Sequence, residues 1–129
     1  MRQVISTVNA PKAVGPYSQA VAVGDVLYCS GQIPLDPVTG EMVVGGVREQ
    51  TERVLANLRA VLEASSMRVS DVVKATVFMT DLGRFSEMNE VYAAFFLEPF
   101  PARSTVQVAA LPRGAQVEIE IVAVRGRGV

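Results

Sequence analysis

The sequence predicts an α+β domain in which two helices cover one face of a sheet of about six strands. Three observations carry this. Half of the 129 residues are hydrophobic, which suffices for the core of one ordinary domain spanning residues 1–129. The apolar residues switch period along the chain, from short alternating runs to stretches at helical spacing and back. The resulting order, β-β-β-α-β-α-β-β, gathers helices on one sheet face rather than interleaving a helix after every strand.

Val4–Thr7 reads as a short first strand. Asn9 to Gln19 holds two prolines and a glycine and reads as an ordered turn or loop. Ala20–Val23 and Val26–Ile33 flank Gly24-Asp25 as a hairpin would. Pro34 to Gly46, with two prolines and three glycines, reads as loop. Val47 to Leu62 is a helix, because Val47, Thr51, Val54, Leu55, Leu58, Val61 and Leu62 fall on one face. Arg48, Glu49, Glu52, Arg53 and Arg59 lie largely off that face, and Gly46 is an acceptable N-cap. The β-branched run Val72–Met79 reads as a strand. A second helix runs from about Leu82 or Ser86 to Leu97. Its apolar face is Phe85, Met88, Tyr92, Phe95 and Phe96, read as core rather than as an aromatic binding platform, and Pro99 and Pro101 close it. The last strands are about Arg103–Val108 and Val117–Val124.

Composition narrows the chemistry. A charged fraction of 19% is low for a soluble monomer and points to apolar surface buried between subunits. The formal net charge of -1 lacks the basic excess of a nucleic-acid binder, and Arg125 and Arg127 form too small a cluster to supply it. No apolar run approaches the roughly 18–20 residues that span a bilayer. Met1 to Ala10 lacks a secretory h-region, so a cytoplasmic location is expected. Cys29 is the single cysteine, which excludes an internal disulfide and reads as a small buried hydrophobe. Without histidine, Ser–His–Asp and Cys–His machinery is excluded within the chain, and zinc is not expected. GxGxxG and GxxxxGK[ST] are absent. Catalysis then falls to Arg, Lys, Glu, Asp, Tyr, Ser, Thr, Cys29 and backbone groups.

The last two strands carry the most informative polar pattern. Arg103, Thr105 and Gln107 share one face of the first, while Glu118 and Glu120 share a face of the second with Val122. Read as a hairpin with its apolar faces under the helices, the pair sets Thr105 opposite Glu118 and Arg103 opposite Glu120. Arg103, Thr105 and a carboxylate then meet on the face away from the helices. Two meanings fit this pattern. One is a solvated cross-strand ion pair, worth under about 1 kcal/mol. The other is an anion clamp, a guanidinium for a carboxylate with a glutamate near it for proton transfer.

Several motifs in order resemble one known family. They are Asn9-Ala10-Pro11, Gly15-Pro16-Tyr17, Ser30-Gly31-Gln32-Ile33-Pro34, Asp36-Pro37, Thr39-Gly40-Glu41 and Tyr92-Ala93-Ala94-Phe95-Phe96. Pro101-Ala102-Arg103-Ser104-Thr105-Val106, Ala109-Ala110-Leu111 and Val117-Glu118-Ile119 complete them. Together they resemble the reactive intermediate deaminases, the RidA/YjgF family, across nearly the whole chain. The resemblance implies a chorismate-mutase-like α+β fold, a homotrimer with sites between subunits, and neither metal nor organic cofactor. It implies hydrolysis of 2-imino acids, of the 2-iminobutanoate and 2-iminopropanoate type, to 2-keto acids and ammonia.

By that resemblance Arg103 grips the substrate carboxylate and Glu118 handles protons. Tyr17, Ser30 and Asn89 line the site, and Gly31 offers a backbone contact. Thr105 stands where the archetypal members carry cysteine, keeping a hydrogen-bonding group and losing the thiol. Two other activities attach to the same features. One is a regulatory module that binds a small carboxylate without turnover. The other is an RNA-directed endoribonuclease or translation inhibitor, against which the charge and the absence of histidine argue.

Overall fold

A computed structural model describes residues 2–126. The strands are β1 (Arg2–Ile5), β2 (Ala20–Val23), β3 (Val26–Gln32), β4 (Val72–Met79), β5 (Ala102–Gln107) and β6 (Val117–Val124), and the helices are α1 (Val47–Ala64) and α2 (Phe85–Phe96). The element order is the one expected from periodicity. β2, β4 and β6 keep their expected bounds, and the ends of the other elements shift by at most three residues. Among the described residues no helix is long and apolar enough to cross a membrane. Arg127 lies outside the described residues.

α1 buries every residue assigned to its apolar face, and Gln50 and Asn57 besides. These two amides bind backbone that would otherwise be unpaired. Gln50 Oε1 accepts from the Gln116 amide at 2.8 Å, and Asn57 Nδ2 donates to the Leu35 carbonyl at 3.0 Å. Each thereby ties a loop to the helix. At the N-terminus Glu49 reaches back to accept from the Gly46 amide at 2.8 Å. At the other end Ser66 turns left-handed, and the Arg125 guanidinium donates to the carbonyls of Ser65 and Ser66.

The six strands form one sheet in the order β1-β2-β3-β6-β4-β5. The expected hairpin between the last two strands is not formed. β5 pairs parallel with β4 after a crossover through α2, and β6 inserts antiparallel between β3 and β4. The physical reason lies in the two sequences. β6 carries Val117, Ile119, Ile121 and Ala123, all at most 2% exposed, and so gains most from a central place with a neighbour on each side. β5, Ala-Arg-Ser-Thr-Val-Gln, has little apolar surface to bury and suits an edge.

The register follows. Arg103 lies beside Ala75 and Thr105 beside Val77 on β4, whose core-facing residues are Ala75, Val77 and Met79. Arg103 and Thr105 therefore face the helices, not the open side as the hairpin register required. Glu118 lies beside Phe78 and Glu120 beside Thr76, on the open face. Neither glutamate opposes Arg103 or Thr105. Helices cover one face only, and the other presents Val4, Tyr28, Val106 and Val124 exposed.

Candidate active site

The chain carries two groups of polar residues on opposite sides of the sheet. The first surrounds Arg103. Its Nη1 donates to Asn89 Oδ1 at 2.7 Å, and its guanidinium carbon lies 4.7 Å from the Tyr92 ring centre and 5.3 Å from that of Phe85. Among the described residues no carboxylate comes within 4.0 Å of this half-buried cation. Arg103 forms the wall of a recess of about 390 Å³ with Asn89, Tyr92, Ala93, Phe100 and Pro101. Thr105, next on the same face of β5, has a buried hydroxyl with no hydrogen-bond partner among the described residues.

The second group gathers around an irregularity in β3. Cys29 pairs with Ile121 and Gln32 with Ile119, so Ser30 and Gly31 together oppose Glu120. This is a bulge, which re-aims side chains and breaks pairing locally. A Cβ on Gly31 would overlap the Glu118 carboxylate, so glycine is what lets Glu118 lie against the strand. Glu118 is half-buried, and its carboxylate has no hydrogen-bond partner among the described residues. Burial pushes its pKa above the ordinary carboxylate value, and Glu120 adds to the rise.

The same bulge holds the Tyr17 loop. Ser30 Oγ donates to the Ser18 carbonyl at 2.6 Å, and the Ser30 amide donates to Gln19 at 2.9 Å. The Ser30 hydroxyl is thus committed to the loop. Gln19 is 4% exposed and fastens the loop from inside. It accepts from the Thr7 amide at 2.7 Å and donates to the carbonyls of Pro11 at 2.8 Å, Thr7 at 3.1 Å and Ala10 at 3.3 Å. Tyr17 stands exposed, its hydroxyl accepting from the Val14 amide at 3.3 Å. Tyr17 and Gly31 line a recess of about 320 Å³ with Lys12, Ile33, Pro112 and Arg113. A larger hollow of about 500 Å³ beside β1 contains neither an arginine nor a carboxylate, so its size gives it no chemistry of this kind.

Of the residues singled out from sequence, Arg103 and Asn89 meet directly, and Gly31, Ser30, Tyr17 and Glu118 gather around the bulge. Thr105 stays on the helix side. Arg103 and Glu118 are kept apart by the sheet and by β4, two strand spacings or on the order of 10 Å. Sequence reasoning missed Gln19, for which a single chain offers no signal. It also missed the contact of Phe85 and Tyr92 with Arg103. Both are core or core-packed, as their spacing implies, and both have this second role. A polar Asn89 at helical spacing within an aromatic face was the available clue. Burial raises the Cys29 thiol to about 12, in keeping with a small buried hydrophobe. Among the described residues no three His, Cys, Asp or Glu side chains cluster as metal ligands would.

Comparison with known proteins decides the kinship. Residues 7–125 match the family described as Endoribonuclease L-PSP. The chain belongs to that family, the RutC/RidA family. Within it, the 2-iminobutanoate/2-iminopropanoate deaminase of Bos taurus is 49% identical, the match covering 98% of this chain and 92% of the relative. A RutC family protein of Pyrococcus horikoshii is 50% identical over 95% of this chain and 98% of its own. The crystal structure of Escherichia coli TdcF with bound serine is 46% identical, with a TM-score of 0.92, covering 96% of this chain and 99% of that one. The fold of this chain is accordingly the RidA fold.

Proposed function

We propose that this chain hydrolyses reactive 2-imino acids, of the 2-iminobutanoate and 2-iminopropanoate type, to 2-keto acids and ammonia. The observation that carries the reading is Arg103, a half-buried guanidinium on a small recess with no acidic partner among the described residues. Four of its five N–H groups make no bond to the protein among those residues, and a planar fork of this kind suits a carboxylate. Two relatives support it: one carries the deaminase name, and the other is a structure with bound serine, itself a carboxylate.

The chemistry asks little of the protein. Water adds to C2 of the protonated imine, the C–N bond of the resulting carbinolamine breaks, and ammonia leaves as the C=O bond forms. Glu118 takes the proton from water and returns one to the departing nitrogen. Its raised pKa brings it closer to the working pH for both transfers. Arg103 holds the carboxylate in place. Tyr17, Ser30, Gly31, Asn89 and Thr105 shape or support the two halves of the site.

Because the sheet separates Arg103 from Glu118 in one chain, the site is completed between copies, the Arg103 recess of one meeting the Gly31–Glu118 face of the next. A homotrimer built through the open sheet face does this and covers Tyr28, Val106 and Val124. The small 2-imino acid is then bound between subunits, in a protein expected in the cytoplasm. The RNA-directed reading draws on the family's description alone.

The test couples a threonine dehydratase to this protein and traps remaining imine with semicarbazide. Wild type lowers the trapped imine and Arg103→Ala does not. No drop with either protein overturns the reading, and 2-ketobutyrate binding without turnover points instead to a binding module. Tyr28→Glu, on the open face and away from Glu118, is expected to sediment as a monomer and lose turnover. A fully active monomer would overturn the shared site.

A further inference from the structure

We propose that Phe85, Asn89 and Tyr92, one face of α2, are positioning residues that fix the Arg103 guanidinium without neutralising it, and so set how tightly the site grips a carboxylate. The inference rests on the reading of Arg103 given above. Residues 85, 89 and 92 are spaced i, i+4 and i+7, which puts them in a row on one helix face. The Arg103 guanidinium carbon lies 4.7 Å from the Tyr92 ring centre and 5.3 Å from that of Phe85, and its Nη1 bonds Asn89 between them at 2.7 Å. Three side chains of one helix thus converge on one planar group.

Their chemistry is what matters. An arginine is commonly held by an acid, yet an acid here would cancel the charge and compete with the substrate carboxylate. The Asn89 amide and two aromatic faces hold a cation while leaving its charge intact. Only one of five N–H groups is spent on a protein bond among the described residues, so the rest serve an anion in the recess. Ordering the side chain in advance also removes its loss of freedom from the binding step. Tyr92 is kept for its ring: it is 3% exposed, and its hydroxyl has no hydrogen-bond partner among the described residues.

The experiment uses the full-length protein with 2-ketobutyrate as the binding probe, the coupled imine assay, and NMR of the Arg103 Nε–H group. The last needs no turnover and reports the ring currents of flanking aromatics. Asn89→Asp keeps the shape and the hydrogen bond, so a purely structural role predicts no change. The proposal predicts that KM for imine and Kd for 2-ketobutyrate rise together, at least about ten-fold, with kcat nearly kept, as expected when uniform binding is lost. Phe85→Leu should weaken both about five-fold, the scale of one such cation–ring contact, and move the Arg103 signal. Tyr92→Phe keeps the ring and should rescue binding where Tyr92→Leu does not.

If wild type turns over imine and both Asn89→Asp and Phe85→Leu match it in KM and Arg103 signal, the proposal is overturned and the deaminase reading stands. If wild type binds 2-ketobutyrate without hydrolysing imine, and the variants weaken that binding as stated, the deaminase reading falls and the positioning role stands. If wild type does neither, both fall.

Discussion

Adding one methyl group at Gly31 tests the candidate proton-transfer group without touching it. A Cβ there would lie 2.9 Å from Glu118 Cδ and 3.1 Å from Cγ, and would overlap the nearer carboxylate oxygen. Ordinary contact begins at about 3.4 Å, so the carboxylate, whose nearer oxygen is the most deeply overlapped atom, must retreat by roughly 1–1.5 Å. The backbone of Gly31 is not left-handed, so alanine fits its conformation and keeps its N–H. The Glu118 carboxylate is half-buried with no hydrogen bond of its own to lose among the described residues. Its displacement should therefore cost only about 0.5–1.5 kcal/mol, the scale of a strained rotamer, and a few degrees in Tm. Misplacing a reacting group by an ångström costs about 100-fold in rate. Gly31→Ala is thus expected to lower kcat about 100-fold in the coupled imine assay while remaining folded by circular dichroism. Glu118→Gln should lose at least as much, about 10²–10⁴-fold. The double variant should be no slower than Glu118→Gln alone, because the alanine acts through a carboxylate that is no longer there. Wild-type kcat in Gly31→Ala, or two losses that multiply, would refute the reasoning.

Glu118 also makes a signed pH prediction. With a folded pKa above its ordinary value of 4.5, it binds its proton longer in the folded state, so stability is unaffected below that value and falls as pH rises through the window above it. Glu118→Gln should therefore raise Tm modestly at pH 7 and not at pH 3, and it should abolish the acid limb of the rate profile, which wild type shows above pH 4.5. Gln19→Ala strips the buried clamp from the Tyr17 loop and should cost about 1–3 kcal/mol in urea unfolding, with a raised KM. Thr105→Val removes a buried hydroxyl that has no partner among the described residues and should leave stability unchanged or raise it by up to about 1 kcal/mol. A loss of several kcal/mol would show that the hydroxyl is bonded in solution.

Much was legible from the chain alone because it depends on local periodicity. The α1 face of Val47, Thr51, Val54, Leu55, Leu58, Val61 and Leu62 is buried as its spacing requires. The alternation in β6 places Glu118 and Glu120 on one side and Val117, Ile119 and Ile121 on the other. The same alternation put Arg103 and Thr105 on one face of β5. What alternation does not specify is which neighbour a strand takes, or which of its faces meets the core. Adjacency in sequence suggested a hairpin for β5 and β6, but competition for burial gave the apolar β6 a central place and sent the polar β5 to an edge beyond β4. That choice turned Arg103 toward α2, where Phe85, Asn89 and Tyr92 receive it. It left Glu118 on the far side, beside a bulge at Ser30 and Gly31 that has only a glycine as its local mark. Residue types and the faces they share are properties of each segment's own repeat. Strand order, and with it which polar groups come together, is settled by the burial of the whole chain, so only the tertiary structure decided it.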